Sequence, residues 1–300
     1  MKSDVRSIRA SIPERMRFPL KFSKMHGIGN DFIIIDAFRQ PLIHPERLAK
    51  SLCPRRFGVG ADGLILALPS AVANARMRIF NADGSEPEMC GNGIRCLGKF
   101  LFEQGLVTEN PMTVETLAGI LSLHLELDGG RVRAVTADMG APRLAPDEIP
   151  VAAPSNRVSA TLDGQSVAFF CVSMGNPHAV TFDLYPDDER FRRFGAAMER
   201  HPLFPQRANI EFCRLRPDGG VDVRVWERGD GETLACGTGA CAVAVAGASL
   251  GLTGRDLAVH LPGGALRIRW AEDGRVWMTG PAETVYAGEI DLPYGGETEP

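Results

Sequence analysis

The sequence predicts an α+β protein made of two copies of one unit, and three observations carry that expectation. Cys90-Gly91-Asn92-Gly93 and Cys236-Gly237-Thr238-Gly239 are near-copies, and each runs into an apolar, helix-like stretch. A strand-like run and a polar turn precede each of them, so the same order recurs in both halves of the chain. That order lacks the strict strand–helix–strand alternation of a parallel sheet, which selects α+β over α/β.

The elements follow in turn. Lys24 to Asp31 reads as a glycine-broken turn leading into the β-branched strand Phe32 to Asp36. Pro45 to Leu52 reads as a short helix, and Gly58 to Gly63 as a turn before the strand Leu64 to Leu68. Arg76 to Phe80 alternates as a strand should, then Asn81 to Ser85 turns toward the first cysteine loop. Ile94 to Gln104 has a helical pattern with Gly105 near its C-terminus. Thr113 to Leu127 and Arg131 to Met139 read as strands joined by Asp128-Gly129-Gly130. Pro142 to Pro154, with four prolines, is the best linker between the halves. Beyond it, Val167 to Met174, Ala179 to Phe182, Ala208 to Phe212 and Val221 to Trp226 are further strands, and the last leads through Glu227 to Cys236.

Composition narrows the function. At 300 residues, 44% hydrophobic and 23% charged, the chain has room for two modest domains of an ordinary soluble protein. Its net charge of −4 argues against a nucleic-acid-binding face. The longest apolar run, Ala240 to Leu252, falls short of the ~20 residues that a membrane span takes and reads as a buried helix. Neither nucleic acid nor membrane is expected as a partner, and a cytoplasmic location is the default. The seven cysteines form no C-x-x-C pair and no disulfide framework, so no metal site is expected. Residues 1–20 carry several arginines and no hydrophobic segment; they read as a disordered extension, an over-long start before Met16, or a targeting peptide.

A cysteine at a helix start is where a thiolate is most easily made, because unpaired N–H groups and the helix dipole converge there. Two such thiols, one a base and the other an acid, suit proton exchange at a stereocentre. The bland alternative is a pair of inert core cysteines. Cys96 and Cys241 lie deeper in their helices and read as core, and Cys53, Cys171 and Cys213 as structural. The loops Gly91-Asn92-Gly93 and Gly237-Thr238-Gly239 offer N–H groups to an anion such as a carboxylate, unless the glycines serve only tight turns. Gly58 to Gly63 has only a superficial likeness to a dinucleotide loop, without the strand–loop–helix context. His178 and Glu227 are each open to two readings, as acid/base helpers or as ordinary hydrogen-bonded and ion-paired side chains.

Taken together, Lys24 to Phe32, Asn81 to Glu86, Met89 to Cys96, Gly175 to His178, Ala208 to Ile210 and Glu227 to Cys241 resemble the diaminopimelate epimerase family over nearly the whole chain from about Phe22. The resemblance implies a cofactor-free epimerase that interconverts LL- and meso-2,6-diaminopimelate on the route to lysine and peptidoglycan. It also implies two pseudo-symmetric domains, each a curled, mostly antiparallel sheet around a central helix. The boundary falls near Met139, with residues 1–139 and 281–300 forming one half and 140–280 the other. By matching position, Cys90 and Cys236 become the acid/base pair and Gly91, Asn92, Gly237 and Thr238 the carboxylate cradle. Asn30, Asn81, Asn176, Asn209 and Arg228 become substrate contacts, with His178 and Glu227 assisting. Gly63 departs from family members that carry a substrate-contacting glutamine in this loop. A homodimer is a further assembly to test, and the rival activities are another two-cysteine racemase, an inactive ligand-binding scaffold and, last, a thiol peptidase.

Overall fold

The computed structural model describes residues 18–40 and 42–292, and among them lie four helices and one continuous sheet of seventeen strands. In the first half run β1 (Phe18–Gly27), β2 (Asn30–Asp36), α1 (Pro45–Leu52), β3 (Gly63–Leu68), β4 (Ala75–Asn81), α2 (Gly91–Glu103), β5 (Met112–Thr116), β6 (Gly119–Asp128) and β7 (Arg131–Asp138). The second half has β8 (Arg157–Leu162), β9 (Gln165–Ser173), β10 (Pro177–Thr181), α3 (Asp188–Glu199), β11 (Asn209–Leu215), β12 (Val221–Glu227), β13 (Gly231–Glu232), α4 (Gly237–Ser249), β14 (Asp256–Leu261), β15 (Gly264–Trp270) and β16 (Val276–Gly280). Finally β17 (Glu283–Leu292) pairs antiparallel with β1, at the start of the first half.

Strand pairing repeats in order and sense, apart from the short β13 beside β12. β1–β2 is antiparallel, β2–β3 parallel, β3–β4 antiparallel, β4–β5 parallel, and β5–β6–β7 antiparallel. β9–β10, β10–β11, β11–β12, β12–β14 and β14–β15–β16 follow the same senses in the same order. The two half-sheets join through one antiparallel seam, with Val135 of β7 opposite Gly280 of β16 and Asp138 opposite Trp277. Each half-sheet curls around its own helix, and both helices enter one shared core.

Local sequence explains both central helices. α4 is apolar on every face, so it has no solvent side and must be enclosed, and Ala240 through Ala246 are fully buried. α2 carries Lys99 into the interior, where its Nζ donates to Val132 O at 2.8 Å and meets Glu103 at 3.3 Å. α1 and α3 cover the outer faces and complete two smaller cores, around Ile33, Leu52 and Leu64 and around Phe191, Phe194 and Phe212.

The helix expected at Pro45–Leu52 is found there. Other expectations change. Thr113 to Leu127 is a hairpin that breaks at Leu117-Ala118, with Leu117 54% exposed at the turn. Lys24 to Gly27 belongs to β1, and the turn is only Ile28-Gly29; Lys24 is tolerated inside because it pairs with Asp31 and donates to Gly60 O. Pro142 to Pro154 joins β7 to β8 as expected of a linker, and it is packed: Arg143 and Ser173 exchange two backbone hydrogen bonds, and Ile149 is fully buried. Of the expected extension, residues 1–17 lie outside the described residues, whereas 18–20 are strand. No helix among the described residues is long and apolar enough to cross a membrane.

Candidate active site

Cys90 and Cys236 are the N-cap residues of α2 and α4, both in extended conformation, with Gly91 and Gly237 as the first helical residues. Neither helix has an acidic residue in its first turn, so the dipole and free N–H groups there are not spent on a neighbouring carboxylate. The two helix starts face one another. A Cβ added at Gly91 would lie 3.7 Å from Gly237 Cα, and one added at Gly237 would lie 3.5 Å from Gly91 Cα and 3.1 Å from Met278 Sδ. Glycine at both positions is what permits this approach.

Asn92 ties the halves together. Its Nδ2 donates to Asn30 Oδ1 at 3.1 Å and to Ala235 O at 3.1 Å, just before Cys236. The Cys90 thiol points at the same Asn30 Oδ1, at 3.7 Å, and Asn30 Nδ2 donates to Asp62 at 2.8 Å. Behind them Arg95, fully buried, donates to Asn92 Oδ1 and Gly91 O, each at 3.0 Å, and so fixes the first turn of α2.

On the other side Cys236 Sγ lies 3.7 Å from Thr238 Oγ1 and against the Glu227 carboxyl, which also accepts from Thr233 Oγ1. His178 is fully buried, with Nδ1 2.7 Å from Glu211 Oε1 and Nε2 3.0 Å from Asn176 Oδ1. Asn209 Nδ2 donates to Pro177 O at 3.0 Å and its Oδ1 accepts the Arg228 N–H at 2.9 Å, so these two residues share one corner. Asn81 stands apart from these contacts; it is exposed at the end of β4 and bonds to Ser85 within its own turn. A Cβ at Gly63 would meet Phe80 O at 2.9 Å, so any larger residue here requires the strands to shift.

Burial sets the electrostatics. It raises the Cys90 thiol above the ordinary range, opposed by the N–H groups of Gly93 and Asn92. It raises Cys236 further, and the Glu227 carboxyl beside it adds to the rise. Burial raises the Glu227 carboxyl as well. Desolvation of the two sulfurs therefore outweighs what the helix starts return, and both thiols are shifted upward.

Sequence reasoning missed Arg95 and Glu211. A signal for both existed in the spacing. Equally far upstream of their cysteines stand Asn30 and Asn176, Phe32 and His178, Gly63 and Asn209, Ile65 and Glu211, and Asn81 and Glu227. A charged residue inside the apolar run Asn209 to Cys213, aligned with an isoleucine in the first copy, marks a position where packing alone does not explain the choice.

Twin cysteine-tipped helices, each inside its own curled half-sheet, define the fold. The same fold occurs in a hydroxyproline epimerase from Agrobacterium vitis, with a TM-score of 0.67 and 18% identity over 94% of this chain and 96% of that one. It also occurs in a methylitaconate-delta-isomerase, with a TM-score of 0.64 and 13% identity over 92% and 96%. This chain belongs to the diaminopimelate epimerase family, whose model matches residues 22–145 and 170–285. The diaminopimelate epimerase of Desulfitobacterium hafniense is 52% identical over 277 residues, 90% of this chain and 98% of that protein. That of Methanococcus maripaludis is 48% identical, covering 91% of this chain and all of its own length.

Proposed function

We infer that this chain interconverts LL- and meso-2,6-diaminopimelate by moving one α-proton between Cys90 and Cys236, without an added cofactor. The observation that carries this reading is the meeting of two cysteine-tipped helix starts at Gly91 and Gly237. A carboxylate held by the N–H groups of Gly91, Asn92, Gly237 and Thr238 has its α-carbon between the two thiols. One sulfur takes the proton from one face while the other returns a proton to the opposite face, which inverts the centre.

The difficulty is the carbanion, which has no conjugated electron sink. Each helix N-terminus supplies up to about 2 kcal/mol in a partly buried site. Each preorganised, water-excluded donor on the developing charge supplies about 3 kcal/mol. The free N–H groups carry the dipole's positive end, so the two figures describe one effect, whose size is set by how well those donors aim at the developing charge. The raised thiols suit this sequence: one thiol stays neutral and is the acid, while its partner gives its proton to solvent and becomes the thiolate that takes the α-proton. His178 and Glu227 assist on the Cys236 side. Asn30, Asn81, Asn176, Asn209 and Arg228 bind the substrate, several of them at its distal, non-reacting end. An analogue lacking that end leaves these polar groups unpaired, at about 1–3 kcal/mol each.

The two catalytic halves are residues up to Met139 with 281 onward, and 140–280. The pairing of β17 with β1 supports that division. The product feeds lysine and peptidoglycan precursors, and a homodimer is the assembly to test by light scattering. The deciding experiment is incubation with LL-diaminopimelate in D₂O without cofactor. Deuterium should enter one α-carbon as meso product forms, and lysine should not exchange. No exchange, or equal exchange into lysine, overturns the reading.

A further inference from the structure

The halves differ most beneath the first turn of each central helix. A Cβ built on Gly93 meets Ile65 Cδ1 at 2.9 Å, whereas one built on Gly239 meets Glu211 Oε1 at 3.0 Å and Cys236 Sγ at 3.2 Å. The strand registers agree: Phe32 lies opposite Gly63, and His178 opposite Asn209. The apolar pair Phe32 and Ile65 of one half is thus a histidine and a glutamate in the other.

Both residues of the polar pair are fully buried, and Glu211 Oε2 has no hydrogen-bond partner. An unpartnered buried oxygen costs about 1–3 kcal/mol, and replacing a buried ionisable pair with apolar residues is often neutral or stabilising. Isoleucine fills the matching place in the first half, so packing does not require an acid here.

The contacts also fix a proton count. His178 Nδ1 faces one acceptor, Glu211 Oε1, and Nε2 faces another, Asn176 Oδ1. Both bonds form only if each ring nitrogen carries a proton, or if Nε2 carries one and Glu211 the other. In either form the pair is electrically neutral and holds one proton more than a neutral imidazole beside a carboxylate. Burial, which raises the Glu211 carboxyl and penalises a lone charge, favours the same state.

We propose that Glu211 is a positioning residue for proton transfer at Cys236: it shares a proton with His178 Nδ1, holds that ring with Nε2 on Asn176, and keeps the pair neutral beside the thiol. This rests on the epimerase reading above. The first half has no counterpart, so the effect of losing Glu211 falls on one of the two proton transfers.

The test uses the full-length enzyme with Glu211→Gln, which keeps shape and an acceptor oxygen but cannot carry the carboxyl proton, and with Glu211→Ile, which copies the first half. Activity is measured in both directions with LL- and meso-diaminopimelate, unlabelled and deuterated at the reacting carbon. For Glu211→Gln, KM should stay within about twofold and kcat should fall about 10²-fold, the lower end for a positioned proton-transfer group. The primary isotope effect on kcat/KM should become larger in one direction than in the other, because only one transfer has slowed. Unchanged kcat overturns the proposal, as does a fall with isotope effects that move together, the mark of general structural loss. If Glu211→Gln does not fold, the directional measurement on Glu211→Ile decides; if neither folds, Glu211 is structural and the proposal fails. Wild-type enzyme that exchanges no α-proton sinks the epimerase reading itself, whereas active wild type with unaffected Glu211 variants sinks only this inference.

Discussion

Cys90 and Cys236 occupy the same place in two copies of one fold, yet their surroundings are unlike. Cys90 faces an amide oxygen, Asn30 Oδ1, with Ile65 and Met77 under its helix start. Cys236 faces carboxyl groups, Glu227 at its side and Glu211 beneath α4. The two helix starts share one backbone geometry, while the side chains beneath them differ. The comparison teaches that geometry and proton affinity are set by different residues: backbone and glycines for the first, strand-borne side chains for the second.

The hardest test of that inequality is removal of each sulfur. If both proton transfers are obligatory despite unlike surroundings, Cys90→Ala and Cys236→Ala should each cut turnover about 10³-fold or more. A variant of either within tenfold of wild type would break the two-thiol scheme. A smaller effect sharpens the comparison. Both thiols are raised, so at neutral pH both are protonated, and alkylation by iodoacetamide should accelerate as pH rises. Cys90, half-buried where Cys236 is buried, should react ahead of Cys236. Glu227→Gln should narrow the gap; peptide mass spectrometry that finds Cys236 modified first would contradict this picture.

The smallest difference lies in a clasp present twice. Arg78 grips Glu86 through two bonds of 2.7 Å, and Arg224 grips Glu232 at 2.6 Å, with both glutamates four residues before their cysteines. Arg224 also reaches Asp188 at 2.9 Å, so it keeps a partner when Glu232 is lost. Glu86→Gln should therefore cost more, up to about 1 kcal/mol in urea unfolding, and Glu232→Gln less. Equal losses would show that the second partner contributes nothing.

Much of this was legible before any coordinates. Proline at the first turn and a periodic apolar face placed α1 to the residue, and the cysteine loops marked both central helix starts. The hairpin β5–β6 was hidden because its turn, Leu117-Ala118-Gly119, is apolar and carries one glycine instead of a polar cluster. β8 alternates over Val158, Ala160 and Leu162, and α3 has its Asp187 cap and the apolar row Phe191, Phe194 and Met198, so both carried a local signal that the sequence reading passed over. Asn81 was grouped with the other polar contacts by sequence, while in the folded chain it bonds within its own turn.

By itself the sequence determined the local rules: where helices start, which runs are strands, and that one unit occurs twice. Those depend on neighbours within a few residues, through periodicity, caps and turn chemistry. Only the tertiary structure decided that Gly91 and Gly237 face each other closely, that Asn92 bridges the halves, and that burial shifts both thiols upward. Contact and desolvation are sums over atoms brought together from distant parts of the chain, and no local window contains them.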